Sequence, residues 1–132
     1  TSWWENGQKE SECKYKNSKM DGLWTRWYEN GQKQLEERYI EGVLDGILTH
    51  WYENGNKSEQ YEYDFGKKDG QWTRWYENGN KKGEGTYKND ETFGKWTFYN
   101  EDGTIKKEIK YNYFTSSLRS LWDDFWTRKG DD

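Results

Sequence analysis

Proline is absent from this 132-residue chain, and cysteine and histidine occur once each. Without proline nothing interrupts the backbone ladder of a β-sheet. The single thiol, Cys13, excludes an internal disulfide and leaves the redox compartment open, with the expectation leaning to the cytoplasm. Runs of apolar residues are short: none approaches the roughly 20 residues that span a bilayer, and no apolar signal segment opens the chain, so a soluble segment is expected. The chain starts with Thr in mid-repeat, as a fragment or a processed product would. A basic excess is also missing. The net charge of −4 and a pI near 5.2 give no footprint for nucleic acid and weigh against an anionic membrane surface.

Aliphatic residues are scarce as well. Only 30% of the chain is hydrophobic and 35% is charged, a balance that ordinarily leaves a chain disordered. Ten Trp, eleven Tyr and five Phe reverse that expectation, because each ring removes a large apolar area from water. The core has to be aromatic.

Those aromatics recur with a fixed period. Glu-Asn-Gly stands at Glu5 to Gly7, Glu29 to Gly31, Glu53 to Gly55 and Glu77 to Gly79, and a Glu-Asp-Gly ends at Gly103, always 24 residues apart. Gly22, Gly46, Gly70 and Gly94 keep the same step, as do Tyr15, Tyr39, Tyr63, Tyr87 and Tyr111. Trp3, Trp27, Trp51 and Trp75 form a further series that ends in Tyr99, while Trp24, Trp72 and Trp96 form one interrupted by Leu48.

Each unit reads as two strands. Leu23 to Tyr28 is rich in aromatic and β-branched residues and is followed by Asn30-Gly31, a pair that favours a two-residue type I′ hairpin loop in which Glu29 pairs with Gln32. A second turn through Glu41-Gly42 and Asp45-Gly46 leads into the next unit. The expected fold is mostly β: an elongated, single-layer antiparallel meander of 24-residue hairpins over residues 1–113, about 45 Å long. Strand alternation then places Trp24, Arg26, Tyr28, Leu35, Glu37 and Tyr39 on one face. Leu23, Thr25, Trp27, Gln34, Glu36 and Arg38 take the other.

The pattern Tyr39-x-x-Gly42-x-x-x-Gly46, continuing through Trp51-Tyr52 to Glu53-Asn54-Gly55, resembles the MORN repeat. The closer likeness is to a bacterial variant with Trp-Tyr-Glu-Asn-Gly in each unit, whose members are labelled YwqK-family antitoxins. The resemblance implies a twisted antiparallel sheet of hairpins used mainly as a platform for protein association, with phospholipid binding also proposed in the family. Trp24, Trp72 and Trp96 depart from the family's small residue after Gly-x, and Ser18 and Asp90 replace its first turn glycine.

Beyond Tyr113 the period is lost. Leu118, Leu121, Trp122, Phe125 and Trp126 recur at helical spacing, so residues 114–132 are expected to form a helix that caps the last strand edge or docks a partner. A rival reading aligns Leu121-Trp122 and Phe125-Trp126 with Leu23-Trp24 and Trp27-Tyr28 as one more degenerate strand.

Catalysis lacks the residues it needs. His50 occupies the repeat position of Arg26 and Arg74, Cys13 has no His in its own repeat, and no phosphate loop, zinc spacing or nucleophile elbow is present. Asp21, Asp45 and Asp69 read as turn residues rather than a calcium ladder. The expectation is a non-enzymatic scaffold without cofactor or metal. Trp27, Trp51, Trp75 and Tyr99, with Glu12, Glu36, Glu84 and Glu108 on the same face, form its candidate binding stripe. Another protein, as a companion subunit in a larger assembly, is the expected partner, and a basic or Arg-rich surface would suit the glutamates. The alternative is a glycan or cell-wall ligand stacked on an exposed Trp ladder.

Overall fold

The computed structural model describes residues 1–111; the expected helix over 114–132 lies outside them, and no helix occurs among the described residues. In chain order the strands are β1 (Ser2–Trp3), β2 (Lys9–Glu12), β3 (Tyr15–Lys16), β4 (Lys19–Met20), β5 (Gly22–Trp27), β6 (Lys33–Ile40) and β7 (Val43–Leu44). They continue as β8 (Gly46–Trp51), β9 (Lys57–Asp64), β10 (Lys67–Trp75), β11 (Lys81–Lys88), β12 (Glu91–Tyr99) and β13 (Ile105–Tyr111). One 11-stranded antiparallel sheet follows sequence order from β1 to β13, with β7 added beside β6, while β3 and β4 form a separate two-stranded ribbon. The meander of 24-residue hairpins is therefore built as expected.

The Asn-Gly turn differs from the expected one. Gly31 N donates to Tyr28 O at 3.0 Å and Tyr28 N donates to Gln32 O at 2.8 Å, so the loop holds three residues and Tyr28, not Glu29, faces Gln32. Gly31 alone takes a positive φ of 91°, while Asn30 stays outside the left-handed region. This is a type I turn closed by a glycine bulge. The side chain of Asn30 explains the choice: its Oδ1 accepts from Gln32 N at 2.9 Å, which fixes the asparagine in the turn's right-handed position. The type I′ conformation occurs at the opposite end of the strands, where consecutive residues such as Glu41 and Gly42 have φ of 48° and 84°.

A compensating bulge preserves most of the register. Trp27 pairs with Lys33, but Arg26 pairs with Leu35, Thr25 with Glu36 and Trp24 with Glu37, as the two-residue loop would have placed them. Only Gln34 and Lys33 change sides. Gln34 lines a hollow with Arg26 and Tyr28, and Lys33 stands opposite Trp27, where Gln34 was expected.

The core is a stack of rings on one face of the sheet. Leu48, Trp72 and Trp96 are its buried apolar side chains, at 6%, 7% and 4% exposure. Trp72 and Trp96 stack with ring centroids 4.9 Å apart, and Tyr87 and Tyr111 meet Trp96 edge-on. Trp72 stands across the ladder from Gly85, and a Cβ on Gly85 would come within 2.1 Å of the Trp96 ring. Two large rings share the space because a glycine stands between them. We call this the stacked face and the opposite side the open face.

Side chains at the turns bind one repeat to the next. Tyr28, Tyr52 and Tyr76 donate their hydroxyls to the carbonyls of Trp51, Trp75 and Tyr99 at 2.6, 2.6 and 2.7 Å. Asn30 Nδ2 reaches Glu53 O, and Asn54 and Asn78 repeat the bond. At the other end Asp21, Asp45 and Asp69 accept from the backbone N–H of Glu41, Phe65 and Asn89. Tyr-x-Asn-Gly and the turn aspartates are thus mortar between neighbours.

Candidate binding face

All the residues expected in the binding stripe lie on the open face. Across successive strands, Glu12, Thr25 and Glu36 stand in register, followed by Thr49, Gln60 and Thr73 and then by Glu84, Thr97 and Glu108. Thr25, Thr49 and Thr97 are buried in this row, which packs it tightly. Toward the Asn-Gly turns runs the aromatic row of Trp27, Trp51, Trp75 and Tyr99, each half-buried.

Exposure separates the two faces. Of the exposed large hydrophobics, Trp3 (58%), Leu23 (50%), Ile47 (54%) and Ile105 (58%) sit on the open face, while Tyr15, Val43 and Phe65 belong to the far-end turns and β-ribbon. The stacked face holds the buried ones. No second layer covers the open face among the described residues.

The stripe is not acidic, as the sequence had suggested. Lys9 binds Glu12 at 2.9 Å, Lys33 binds Glu36 at 2.9 Å, Lys81 binds Glu84 at 3.0 Å and Lys95 binds Glu108 at 3.0 Å. Glu84 is also held by the hydroxyl of Tyr99 at 2.5 Å. That bond, followed by Lys81, keeps the Glu84 carboxyl below its ordinary value, and the same carboxylate pushes the Tyr99 phenol up. Glu12 is lowered by its hydrogen bond to Lys9.

The lysines escaped the sequence reading, although they carry the same period: Lys9, Lys33, Lys57 and Lys81 each stand two residues after a turn glycine. The bulge turns them onto the open face, where Lys9, Lys33 and Lys57 reach forward to the next repeat. Lys9, Lys33 and Lys57 lie 5.8, 5.7 and 6.0 Å from the ring centres of Trp27, Trp51 and Trp75. A cation over an indole face is attracted by the ring quadrupole. The row is therefore an alternation of indoles and ammonium groups.

Groups that might have suggested chemistry are dispersed. His50 pairs across the ladder with Glu59 on the stacked face, and Cys13 is a half-buried free thiol following β2. Among the described residues no three His, Cys, Asp or Glu side chains gather as metal ligands.

No curated protein matches the chain. Among family models, the MORN repeat variant matches residues 1–17, 20–41, 44–64, 68–89 and 94–113, a set of five segments that follows the five hairpins. Both the matched sequence and the meander that it builds place the chain in the MORN repeat variant family.

Proposed function

We propose that the chain is a non-enzymatic scaffold that binds another protein across its open face. Trp27, Trp51, Trp75 and Tyr99 are the anchors, and the Lys-paired Glu12, Glu36, Glu84 and Glu108 form the polar border. Repeats of this family are generally protein- or membrane-binding modules. The observation that carries the reading is the exposure of Trp3, Leu23, Ile47 and Ile105 on one face of a one-layer sheet whose opposite face already contains the core.

Size supports it. Ten strands at about 4.8 Å, crossed by about 17 Å of strand, give roughly 800 Å², close to one partner's share of a standard interface. Tryptophan is the residue type that most often dominates binding energy in such patches. Polar groups recur once per repeat rather than converging on one centre, which favours recognition over catalysis. In the antitoxin-like variant that the Trp-Tyr-Glu-Asn-Gly units resemble, the bound protein would be a toxin. Glycan stacking is the weaker reading, because lysines already lie over three of the indole rings.

Affinity capture from the native extract tests the proposal, comparing the chain with a Trp27→Ala, Trp51→Ala, Trp75→Ala variant shown by circular dichroism to stay folded. A protein retained by the first and lost by the second supports it. Equal retention by both contradicts it.

A further inference from the structure

We infer that the open face takes an acidic, extended polypeptide segment; this rests on the reading above that the face binds protein, and it names the chemistry of the partner. Four of the face's carboxylates already bind lysines. What remains is Lys14, Arg38, Lys57 and Lys110 without an ion pair among the described residues, against one unmatched carboxylate, Glu62. Glu62 is exposed and accepts from Gln71 N at 3.3 Å. The face is thus cationic in a chain whose net charge is −4.

Position adds to sign. Leu23 stands across the ladder from Arg38 on the same face, and Ile47 takes the equivalent place one repeat on. Lys14 and Arg38 occupy equivalent places beside Gly22 and Gly46. The N-terminal half of the face therefore alternates cation and exposed aliphatic from strand to strand. Both kinds of group recur after two strands, about 10 Å along the sheet axis.

An extended chain in polyproline form advances about 9.3 Å in three residues and returns each third side chain to the same side. A segment crossing the strands with a carboxylate at every third residue, and an aliphatic residue beside it, would meet Lys14 and Leu23 and then Arg38 and Ile47, one cation and one apolar side chain in each of the first two repeats. Discrete cations set beside aliphatic side chains at the spacing of a strand pair suit such residue-by-residue recognition better than the diffuse charge of a lipid surface.

Anisotropy of a labelled peptide of repeated Glu-Leu-Pro triplets, titrated with the full chain, tests this beside a Lys-Leu-Pro peptide and phosphatidylserine vesicles. The Glu peptide is expected to bind saturably and to weaken as salt rises, and the Lys peptide to stay free. A Lys14→Glu, Arg38→Glu variant should weaken Glu-peptide binding about tenfold, and Glu62→Lys should strengthen it. The two variants act in opposite directions, so loss of folding in one leaves the other decisive.

Equal or better binding of the Lys peptide, or no binding of either, overturns the inference. Vesicle binding without peptide binding overturns it in favour of a membrane. Should the Glu peptide fail while capture of a protein still depends on Trp27, Trp51 and Trp75, the acidic preference falls and the scaffold reading stands.

Discussion

Tyr28 donates its hydroxyl to the backbone carbonyl of Trp51 at 2.6 Å, and through that bond each repeat holds the strand end of the next. Tyr52 and Tyr76 repeat the contact with Trp75 and Tyr99. The bond places the anchors of the open face by securing their backbone, while Lys33 and Lys57 lie over the rings of Trp51 and Trp75.

Replacing these hydroxyls should loosen the array without changing its fold. Each Tyr→Phe change at 28, 52 or 76 is expected to cost about 1 kcal/mol, and the triple variant about 3 kcal/mol because the sites are separate. Urea unfolding followed by Trp fluorescence measures the loss. A triple variant as stable as the parent would mean that these bonds contribute nothing net.

Gly85 is required for a different reason from the turn glycines. A Cβ there would collide with the Trp96 ring, whereas one at Gly7 meets nothing within 4 Å and is strained only by its φ of 88°. Gly85→Ala should cost about 1–3 kcal/mol and weaken the near-ultraviolet circular dichroism of the Trp72 and Trp96 stack. Gly7→Ala should leave that signal intact.

Alkali should destabilise the sheet before it ionises its half-buried tyrosines. Burial, and then the hydrogen bond to Glu37, push the Tyr39 phenol up to about 12, and burial followed by Glu59 raises Tyr61 as well. The folded values lie above the unfolded value of 10.0, so their stabilisation is complete below that pH and is lost as pH rises from there through about 12. Unfolding midpoints should fall over that range, and Tyr39→Phe should make the fall shallower.

Acid acts through Glu84. Its carboxyl titrates below the ordinary 4.5, so its contribution is present above that pH and disappears as pH falls through the lower folded value. Glu84→Gln should flatten the acid limb of the stability curve, measured by unfolding at stepped pH. An unchanged limb would show that Tyr99 and Lys81 do not favour the ionised form.

The period, the strand pairing and the division into two faces were legible because Trp, Tyr, Gly and Asn recur every 24 residues and alternation fixes sides. Loop type was not. Asn-Gly fits two turns, and the selection of the three-residue form involves Asn30 bonding both Gln32 and the carbonyl of Glu53, a residue of the next hairpin. That bulge moved Gln34 off the open face and brought Lys33 onto it, so the neutralised charge of the stripe was hidden although the lysines were in plain view. Gly83 and Gly85 look like poor strand residues in isolation; the Trp72 and Trp96 rings explain them.

One face of the sheet is core and the other is the proposed contact surface. Hydroxyl-radical footprinting with mass spectrometry, which reads modification at each tryptophan, tests it most directly. Modification is expected at Trp3, Trp27, Trp51 and Trp75, protection at Trp72 and Trp96, and new protection of Trp27, Trp51 and Trp75 when a captured partner is bound. Modification of Trp72 and Trp96 as fast as Trp27, or an unchanged pattern in the complex, would contradict it.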